Sequence, residues 1–584
     1  MAKLQDKIIN DLTGGLTLDK ADIQLEDNKL KDSLNCDLDE TGRLKRRRGI
    51  QQYGDTGSGV FDNSFLFWRQ TLGAAPTAYH LIATTAATSN IYKLVGTYTE
   101  AAITTATVTI TVDTTGLFSA TGNININGDI IAYTGTTGTS FTGCTGIARA
   151  HPAYSFVTQL DDEGAEAVNG ACGVYFAVLN NLCYIQGRLG GVVFNGVTFT
   201  AVADTDEAGG LFATNYRNRI YCAGAGGNDA AGTRNGMPNR VSFTEPGDAT
   251  DWGDYLVNFF DVEDNRGESI TSLRELNDTL LIFKENSIFT YDEIQLKQRL
   301  WDVGAYNHRV VQRLGELIYT FSPTGVWVTN GFEAQKISDP IQKYLEGFQP
   351  VFENVYGRVA TNCFAGTYQG KYYLYLKDLE EPYSRDDIVL VYDTIKGNWT
   401  VHNGYTNFRH FASLKGFTQG SATSSLGQQR ECLFAGDSSG KYFRLFDNRI
   451  YDQAATRILR GGDIIPDTFS TTQLGVQTIA ETKFFEMGDS ITQEARIRKI
   501  GALVEQGTFQ IAYRIDRGTH ITDWISLGDF KATITERKLK EDLNTGYRIA
   551  FKITSNDANV LGILNGIILK ERETLDKTKN DIRR

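Results

Sequence analysis

The chain has 584 residues with 59 glycines, 9 prolines, a charged fraction of 22% and a net charge of −12. This length exceeds what one hydrophobic core fills, so several domains or an array of repeats is expected. The low proline content and modest charge exclude general disorder. The negative net charge makes most of the surface unattractive to nucleic acid and anionic membranes. The sequence holds no run near the ~18 apolar residues that span a bilayer.

Cysteine usage and the first residues predict where the protein is made. The seven cysteines are scattered and include no C-x-x-C pair, which predicts free, mostly buried thiols in a reducing cytoplasm. The opening M-A-K-L-Q-D-K lacks an apolar core, so no signal peptide is predicted. With 32 Phe, 27 Tyr and many glycines, the chain is predicted to be large, soluble and rich in short strands.

Residues 1–50 are predicted to form an N-terminal arm whose charges balance. Its strand of residues 34–39 and turn at 40–42 lead into a cluster of cations that we call the basic segment: Arg43, Lys45, Arg46, Arg47 and Arg48. Such a segment can bind phosphate or form salt bridges with an acidic neighbouring subunit in an assembly. A solvated turn, a clamp onto the acidic body of the same chain and a nuclear-localisation sequence are the alternatives.

A β-propeller is predicted for residues 51–99 and 159–450. A polar turn followed by an aromatic strand recurs, and Asp387 to His402 reads as a strand, a turn and a strand led by Trp399. The spacing favours irregular four-stranded blades, about six in number, in an array that hides its sheet edges by closing. The predicted turns start at Asn180, Arg217, Asn277, Gly315, Gln369 and Arg430.

Two further β units are predicted. Residues 100–158 are rich in Thr and Gly and alternate with period two, which predicts a small inserted β module, either a surface contact or a passive decoration. Residues 451–584 show evenly spaced alternating strands, typical of a C-terminal β-sandwich-like domain, with a polar tail over 570–584. The predicted fold class is therefore all-β.

Motifs for catalysis are weak. The six histidines have no zinc spacing, and His402 and His410 are predicted to be core or loop residues. The acidic stretch 261–268 departs from the EF-hand pattern, and 378–387 reads as an exposed loop. The segment Asp393 to Trp399 imitates the sialidase Asp-box but has the wrong spacing and no leading Ser. No catalytic residue, cofactor site or metal site is predicted, and the protein is predicted not to be an enzyme.

Ordered segments along the chain resemble the tail nozzle proteins of short-tailed bacteriophages, also called tail tubular or packaged-DNA stabilisation proteins. In the arm the resemblance runs from Gly14-Gly15 to the R-R-R-G at 46–49. In the body it is carried by N-R-V…G-D-A-T-D-W (239–252), F-K-E-N-S-I (283–288), G-V-W…I-S-D-P-I (325–341), V-Y-D…W (391–399) and F-A-G-D-S-S-G (434–440). Asn330 stands where the family usually has Asp. The insertion lies outside this resemblance, although its own pattern resembles a small module of phage structural proteins.

The resemblance implies a structural virion protein of the tail, assembled in the host cytoplasm. Copies of the chain, as a homo-oligomer and by analogy a hexamer, would form a ring below the portal and adaptor. Its channel would retain and eject the genome, and viral DNA would pass without sequence-specific binding. Tail fibres or tail tip proteins are further expected partners, and the basic segment would be an assembly contact. A receptor- or glycan-binding tail protein and a propeller glycosidase or depolymerase are the alternative functions.

Overall fold

A computed structural model gives the fold of the chain. It describes residues 3–575 apart from 22–23, 40, 57–58, 71–76, 85–89, 166–172, 188–189, 204–209, 225–237, 255–256, 264–265, 353–359, 378, 380–386, 406, 419–428, 447–450, 453–455, 459–463, 467–473, 491, 534 and 556–561. Within these residues nearly all regular structure is β-strand. The helical turns are His308–Val310, Asp339–Ile341, Gln342–Glu346 and Glu541–Leu543.

The N-terminal segment, residues 3–55, and the propeller contain the first 38 strands. The N-terminal segment has β1 (Lys7–Ile9), β2 (Gly15–Leu16), β3 (Lys29–Leu34), β4 (Cys36–Leu38), β5 (Leu44–Arg46) and β6 (Ile50–Asp55). Blade 1 has β7 (Phe61–Arg69), β8 (Thr77–Thr84), β9 (Asn90–Tyr98) and β15 (Phe156–Ala165). Between β9 and β15 the insertion contains β10 (Thr109–Thr111), β11 (Gly122–Ile126), β12 (Asp129–Tyr133), β13 (Gly135–Thr137) and β14 (Ser140–Thr142).

Six further blades follow in chain order. Blades 2 to 4 comprise β16 (Tyr175–Leu179), β17 (Leu182–Gly187), β18 (Gly190–Phe194), β19 (Phe199–Ala201); β20 (Phe212–Tyr216), β21 (Arg219–Ala223), β22 (Arg240–Phe243), β23 (Phe259–Asp261); and β24 (Ile270–Leu276), β25 (Thr279–Lys284), β26 (Ser287–Tyr291), β27 (Leu296–Trp301). Blades 5 to 7 comprise β28 (Gln312–Leu314), β29 (Leu317–Ser322), β30 (Gly325–Thr329), β31 (Ala334–Lys336); β32 (Cys363–Tyr368), β33 (Lys371–Leu376), β34 (Ile388–Asp393), β35 (Asn398–His402); and β36 (Phe408–Thr418), β37 (Gln429–Asp437), β38 (Lys441–Leu445), β6.

The seven blades close into a ring. The first strands of neighbouring blades contact one another except between blades 4 and 5, where the turn His308–Val310 contacts β24 and β29, and β36 of blade 7 packs on β7 of blade 1. The N-terminal strand β6 completes blade 7 by pairing with β38, with Asp55 opposite Lys441 and Ile50 opposite Leu445. The predicted all-β propeller is confirmed. Seven blades occur instead of about six, because the insertion divides blade 1 and the outer strand of blade 7 comes from the other end of the chain.

Five of the six predicted turn positions are two-residue hairpins between the first and second strands of blades 2 to 6. In four of them both loop residues have positive φ, and three of these four contain Asn. Asn adopts this left-handed region more readily than most residues, which is what tight hairpins require. These four pairs are Asn180-Asn181, Arg217-Asn218, Asn277-Asp278 and Gln369-Gly370. The prediction of a turn at the sixth position, Arg430, is wrong because this residue lies inside β37.

The insertion forms a small core of its own. Ile110, Ile124, Ile131 and Phe141 are buried together in it. Strand β11 pairs with β12 and, through Asn125 opposite Thr158, also with β15, so the insertion extends the sheet of blade 1 outward. The strands β10, β13 and β14 form a separate three-stranded sheet.

The C-terminal part contains two packed sheets. Its strands are β39 (Tyr451–Asp452), β40 (Thr456–Ile458), β41 (Ile464–Pro466), β42 (Leu474–Gly475), β43 (Thr478–Thr482), β44 (Phe485–Glu486), β45 (Ala495–Gln506), β46 (Phe509–Asp516), β47 (Ile525–Phe530), β48 (Glu536–Lys538), β49 (Thr545–Gly546), β50 (Arg548–Ser555) and β51 (Ile563–Thr574). One sheet runs β4-β5-β51-β45-β48, and the other runs β3-β43-β50-β46-β47. Four N-terminal strands, β1, β3, β4 and β5, therefore complete this sandwich.

Strand β3 also joins the sandwich to the propeller. It pairs with β35 of blade 6 on one side, through Leu34 opposite Val401, and with β43 on the other. One continuous sheet of eleven strands thus runs from blade 6 into the sandwich. Asn35 follows β3 with a φ of 54°, and this bend directs the chain into β4 on the opposite sheet. The predicted arm is thus an integral part of both folded units.

Candidate functional site

The loops between the third and fourth strands carry exposed apolar residues in five successive blades. We call these the tip residues: Val197, Val257, Ile294, Phe332 and Ile395. Each is at least 56% exposed, and Ile294 and Ile395 exceed 80%. An isolated exposed apolar residue is ordinary on a protein surface, but recurrence at one position in consecutive blades is not. The tip residues are therefore a repeated feature of the fold.

The same turn chemistry positions four of the five tip residues. In blade 2 the side-chain Oδ1 of Asn195 accepts a hydrogen bond from the backbone N of Val197 at 2.8 Å. Asp292, Asn330 and Asp393 accept in the same way from Ile294, Phe332 and Ile395, at 3.0, 2.9 and 3.1 Å. This Asx-turn fixes the residue two places on at the apex of the loop, where its side chain points to solvent.

The tip residues lie on one face of the propeller. Backbone and side-chain bonds link the tip loops to the two-residue hairpins of the same or the preceding blade. Thr394 N donates to Gly370 O at 3.1 Å, and Asn180 Nδ2 donates to Gly247 O at 2.6 Å. Arg217 Nη1 similarly donates to Asp292 O at 2.9 Å. We call this surface the tip face.

A short sequence pattern accompanies four of the five tip residues. It is an Asn or Asp followed two places later by Val, Ile or Phe and then by a polar residue. In the tip loops it occurs as N-G-V-T at 195, D-E-I-Q at 292, N-G-F-E at 330 and D-T-I-K at 393. Two of them lie in segments already singled out from the sequence: the one at 330 in a segment of the nozzle resemblance, and the one at 393 in the imitation of the Asp-box.

The centre of the propeller is occupied by an ion pair. Arg309 belongs to the turn that leads into blade 5, and it reaches across to the Asp62 carboxylate of blade 1 and the Arg409 carbonyl of blade 7. Its guanidinium also lies 5.8 Å from the ring centre of Tyr175 in blade 2. The second Asp62 oxygen accepts from Val174 N at 2.7 Å. We call Asp62, Tyr175, Arg274, His308 and Arg309 the axial cluster.

Electrostatics in the axial cluster favour a fixed charge pair over proton transfer. Burial alone would lower the pKa of Arg309, but Asp62 and Tyr175 outweigh it and raise that pKa. Burial, together with Arg274 and Arg309, lowers the pKa of His308, so this imidazole is neutral. His308 stacks on Phe212 with ring centres 5.4 Å apart. With its contacts to Phe212 of blade 3 and the Arg409 carbonyl of blade 7, the cluster therefore joins six blades across the axis.

The structure divides the basic segment between the interior and the surface. Arg46 and Arg47 are fully buried, Arg48 is exposed, and Arg43 and Lys45 are partly exposed and form salt bridges with Asp39. Burial of Arg46 and Arg47 fits the alternative of a contact within the chain. The assembly contact expected of the basic segment stays a prediction.

Arg47 forms a junction between the N-terminal segment and blade 6. Its Nε donates to Asn35 Oδ1 at 2.8 Å, and its Nη2 donates to Asn403 O at 2.8 Å. Its guanidinium lies 4.8 Å from the ring centre of Tyr405. Asn35 also bonds to Asn403 and to the Gln477 carbonyl, which precedes the sandwich. We call Asn35, Arg47, Asn403 and Tyr405 the junction cluster.

The remaining predicted features are structural. The six cysteines in the described part of the chain are buried and free, as predicted, and Cys172 lies outside it. His402 and His410 are buried core residues, also as predicted. Asp261 pairs with Arg240, while Asp264, Asn265 and most of 378–387 lie outside the described residues. Across the residues described, no three His, Cys, Asp or Glu side chains converge as metal ligands, and no helix has the length and hydropathy to cross a membrane.

Comparison with known proteins finds similarity in structure but no match in sequence. No family model and no curated protein matches the sequence. The WD40 domain of Neurospora crassa Pan2 aligns over 69% of this chain and 97% of its own, with 11% identity and a TM-score of 0.24. An exo-β-1,3-galactanase from Phanerochaete chrysosporium covers 68% and 95% of the two chains, with 10% identity and a TM-score of 0.21. The GH43 protein BlXynB of Bacillus licheniformis covers 68% and 97%, with 8% identity and a TM-score of 0.20. TM-scores this low do not support any assignment. The propeller assignment is therefore based on the seven sheets of the chain itself.

Proposed function

We propose that the protein is a structural subunit of the tail nozzle of a short-tailed bacteriophage, assembling with copies of itself into a ring. The observation that carries an assembly role is the tip face, where exposed Val, Ile and Phe side chains recur in five successive blades. Burying apolar area against another protein releases about 25 cal/mol per Å². A face with several such anchors, each surrounded by polar residues, has the composition of a protein interface. The specific assembly, a tail nozzle, comes from the resemblance of the ordered segments.

The segments that carry the resemblance fall on architectural positions. Gly247 and Asp248 form the turn before the buried Trp252. Lys284 is buried, with its Nζ 3.3 Å from Asn239 Oδ1. Residues of this kind preserve a fold, so their shared order supports a shared architecture over a shared active site. The assignment to the nozzle family is part of the proposal.

In the proposed ring the genome passes between subunits. Arg309 crosses the centre of the propeller, so the channel is formed by neighbouring copies around a common axis. A chain with a net charge of −12 lines such a channel with an excess of carboxylates, which repel phosphates and let DNA slide. Since Arg46 and Arg47 are buried, they do not add phosphate contacts to it.

The axial cluster argues against the alternative function, a glycosidase. Glycoside hydrolysis generally uses two carboxyl groups about 5–9.5 Å apart, one of them a proton donor. The axial cluster holds one carboxylate, Asp62, and both of its oxygens already accept hydrogen bonds from Arg309 and Val174. A carboxylate fixed in this way is poorly suited to donate a proton.

Mass photometry and electron microscopy of the purified full chain, alone and with a portal–adaptor complex, test the proposal. A closed ring with an open axial channel is expected. A monomer under both conditions, a trimeric spike, or a monomer that hydrolyses glycans would overturn it.

A matched pair of triple variants tests the tip face within that experiment. Ile294→Ser, Phe332→Ser and Ile395→Ser together are expected to abolish the ring, because they remove three apolar anchors while the Asx-turns remain. The control is Ile8→Ser, Leu503→Ser and Ile521→Ser, which are 55%, 41% and 52% exposed and lie in the sandwich. Equal assembly by both variants would remove the tip face from the proposal.

A further inference from the structure

A polar cleft separates the insertion from the strand that closes the propeller. Strands β11 and β15 form one wall, and Gly54 to Thr56, at the end of β6, form the other. Its volume is about 260 Å³, just below the range of about 300–1,000 Å³ typical of pockets for drug-sized ligands. The cleft therefore has room for a small polar molecule. Its lining includes no tip residue and no member of the axial cluster.

One side chain in this cleft has an unsatisfied hydrogen-bonding group. Asn125 is 3% exposed, and its Oδ1 accepts from Gly128 N at 3.0 Å, whereas its Nδ2 has no partner. The neighbouring Ile124 and Ile126 enter the core of the insertion, so alternation along the strand turns Asn125 to the other face, where it lines the cleft. A buried amide that lacks an acceptor costs about 1–3 kcal/mol. A ligand that supplies an acceptor recovers this cost.

The rest of the lining fixes the charge and chemistry of that ligand. Asp55 and Asp162 contribute carboxylates, and Asn123, Thr121 and Ser119 contribute an amide and hydroxyls. The residues that line the cleft include no Lys, Arg or His, so an anionic ligand would meet only repulsion. A simple cation is also unsuitable, because the Asn125 amide must donate a hydrogen bond. The ligand must accept and donate at adjacent atoms and carry no negative charge.

We propose that this cleft binds a neutral saccharide. Each sugar hydroxyl both donates and accepts, so neighbouring hydroxyls can receive the Asn125 amide hydrogen and donate to the carboxylates of Asp55 or Asp162. Tyr92 also lines the cleft. The insertion then has a ligand of its own, independent of the proposed ring.

Saturation-transfer NMR on the full chain tests this proposal with glucose, galactose, N-acetylglucosamine and their β-linked disaccharides as probes. At least one neutral saccharide is expected to receive saturation, and N-acetylneuraminic acid is expected to receive none. No transfer to any neutral saccharide, which is the result if the cleft holds only water, would overturn the proposal. Preferential transfer to a neutral tripeptide amide would do the same.

Substitutions of cleft residues test whether the saccharide binds in this cleft. Asn125→Asp keeps the acceptor for Gly128 N but removes the donor and adds a charge, so affinity should fall about tenfold or more. The matched control is Asn195→Asp in the blade 2 tip loop, which should bind saccharide normally. Asn123→Ala, at the exposed rim of the cleft, should weaken saccharide binding several-fold. It tests the proposal if the Asn125→Asp variant does not fold. Unchanged affinity in a folded Asn125→Asp or in Asn123→Ala would refute the assignment.

Discussion

The N-terminal segment and the insertion are two short β-rich stretches that relate to the propeller in opposite ways. The N-terminal segment has no separate core: its strands complete blade 7, join blade 6 and fill both sheets of the sandwich. The insertion has its own core and attaches along one edge of blade 1. The first stretch is a structural requirement of the whole chain, whereas the second is a module that the chain carries. Four predictions test that contrast, in order of decreasing expected effect.

Removing residues 1–49 should abolish cooperative folding of the C-terminal sandwich. The deletion takes away Ile9, Leu12, Leu30, Leu38 and Leu44, all buried in the sandwich core. At about 1.5–3 kcal/mol each, they contribute on the order of 10 kcal/mol, comparable to the stability of a whole domain. Circular dichroism melting and limited proteolysis measure the loss. A truncated protein that melts like the full chain would show the segment to be dispensable.

Acidification should destabilise the regions that the N-terminal segment closes. Burial lowers the pKa of His80, His402 and His410 to about 3, against 6.5 when unfolded. Between these values the unfolded chain binds more protons, so stability falls as pH drops below about 6.5 and continues to fall towards 3. Each histidine contributes up to about 1.4 kcal/mol per pH unit. Urea unfolding at pH 7, 6 and 5 measures the slope.

The variant His410→Gln should reduce this slope by up to about 1.4 kcal/mol per pH unit. Flat stability between pH 7 and 5 in the unmodified protein would contradict the neutral, buried state of these imidazoles.

Arg47→Met should cost about 1–3 kcal/mol, because it removes one partner from the buried junction cluster and leaves Asn35 Oδ1 and the Asn403 carbonyl with fewer donors. The matched substitution Arg48→Met, at an exposed neighbour, should change stability by at most about 0.5 kcal/mol. Urea unfolding compares the two. Equal stability of both variants, with ring assembly lost only for Arg47→Met, would contradict this structural role and favour the assembly contact predicted from the sequence.

Excising the insertion should have the smallest effect. Thr99 N bonds to Ser155 O at 3.0 Å, so an Asn-Gly turn placed between Thr99 and Ser155 closes β9 and β15 as a hairpin. The propeller should remain folded, with a melting temperature lowered by only a few degrees. A collapse as severe as that of the N-terminal truncation would end the distinction between the two stretches.

Local signals in the sequence predicted local structure. Asn180-Asn181 and Asn277-Asp278 were found as turns because residues that tolerate positive φ are visible without knowing the fold. The strands on either side of Asp393 were found for the same reason. The long-range features were not predictable in this way. Arg309 has no neighbour in sequence that indicates Asp62, and Arg47 lies in a charged run whose burial depends on Asn403, hundreds of residues later.

The closure of blade 7 by β6 also sets the order of events during synthesis. Asp55 leaves the ribosome early, but its partner Lys441 follows only after roughly 20–80 s at about 5–20 residues per second. Until then β6 has an unpaired strand edge, and Leu34 likewise waits for Val401. Contacts of such sequence separation fold slowly and expose chains to mispairing. The first strands of the nascent protein therefore need to be shielded from mispairing until blade 7 has been translated.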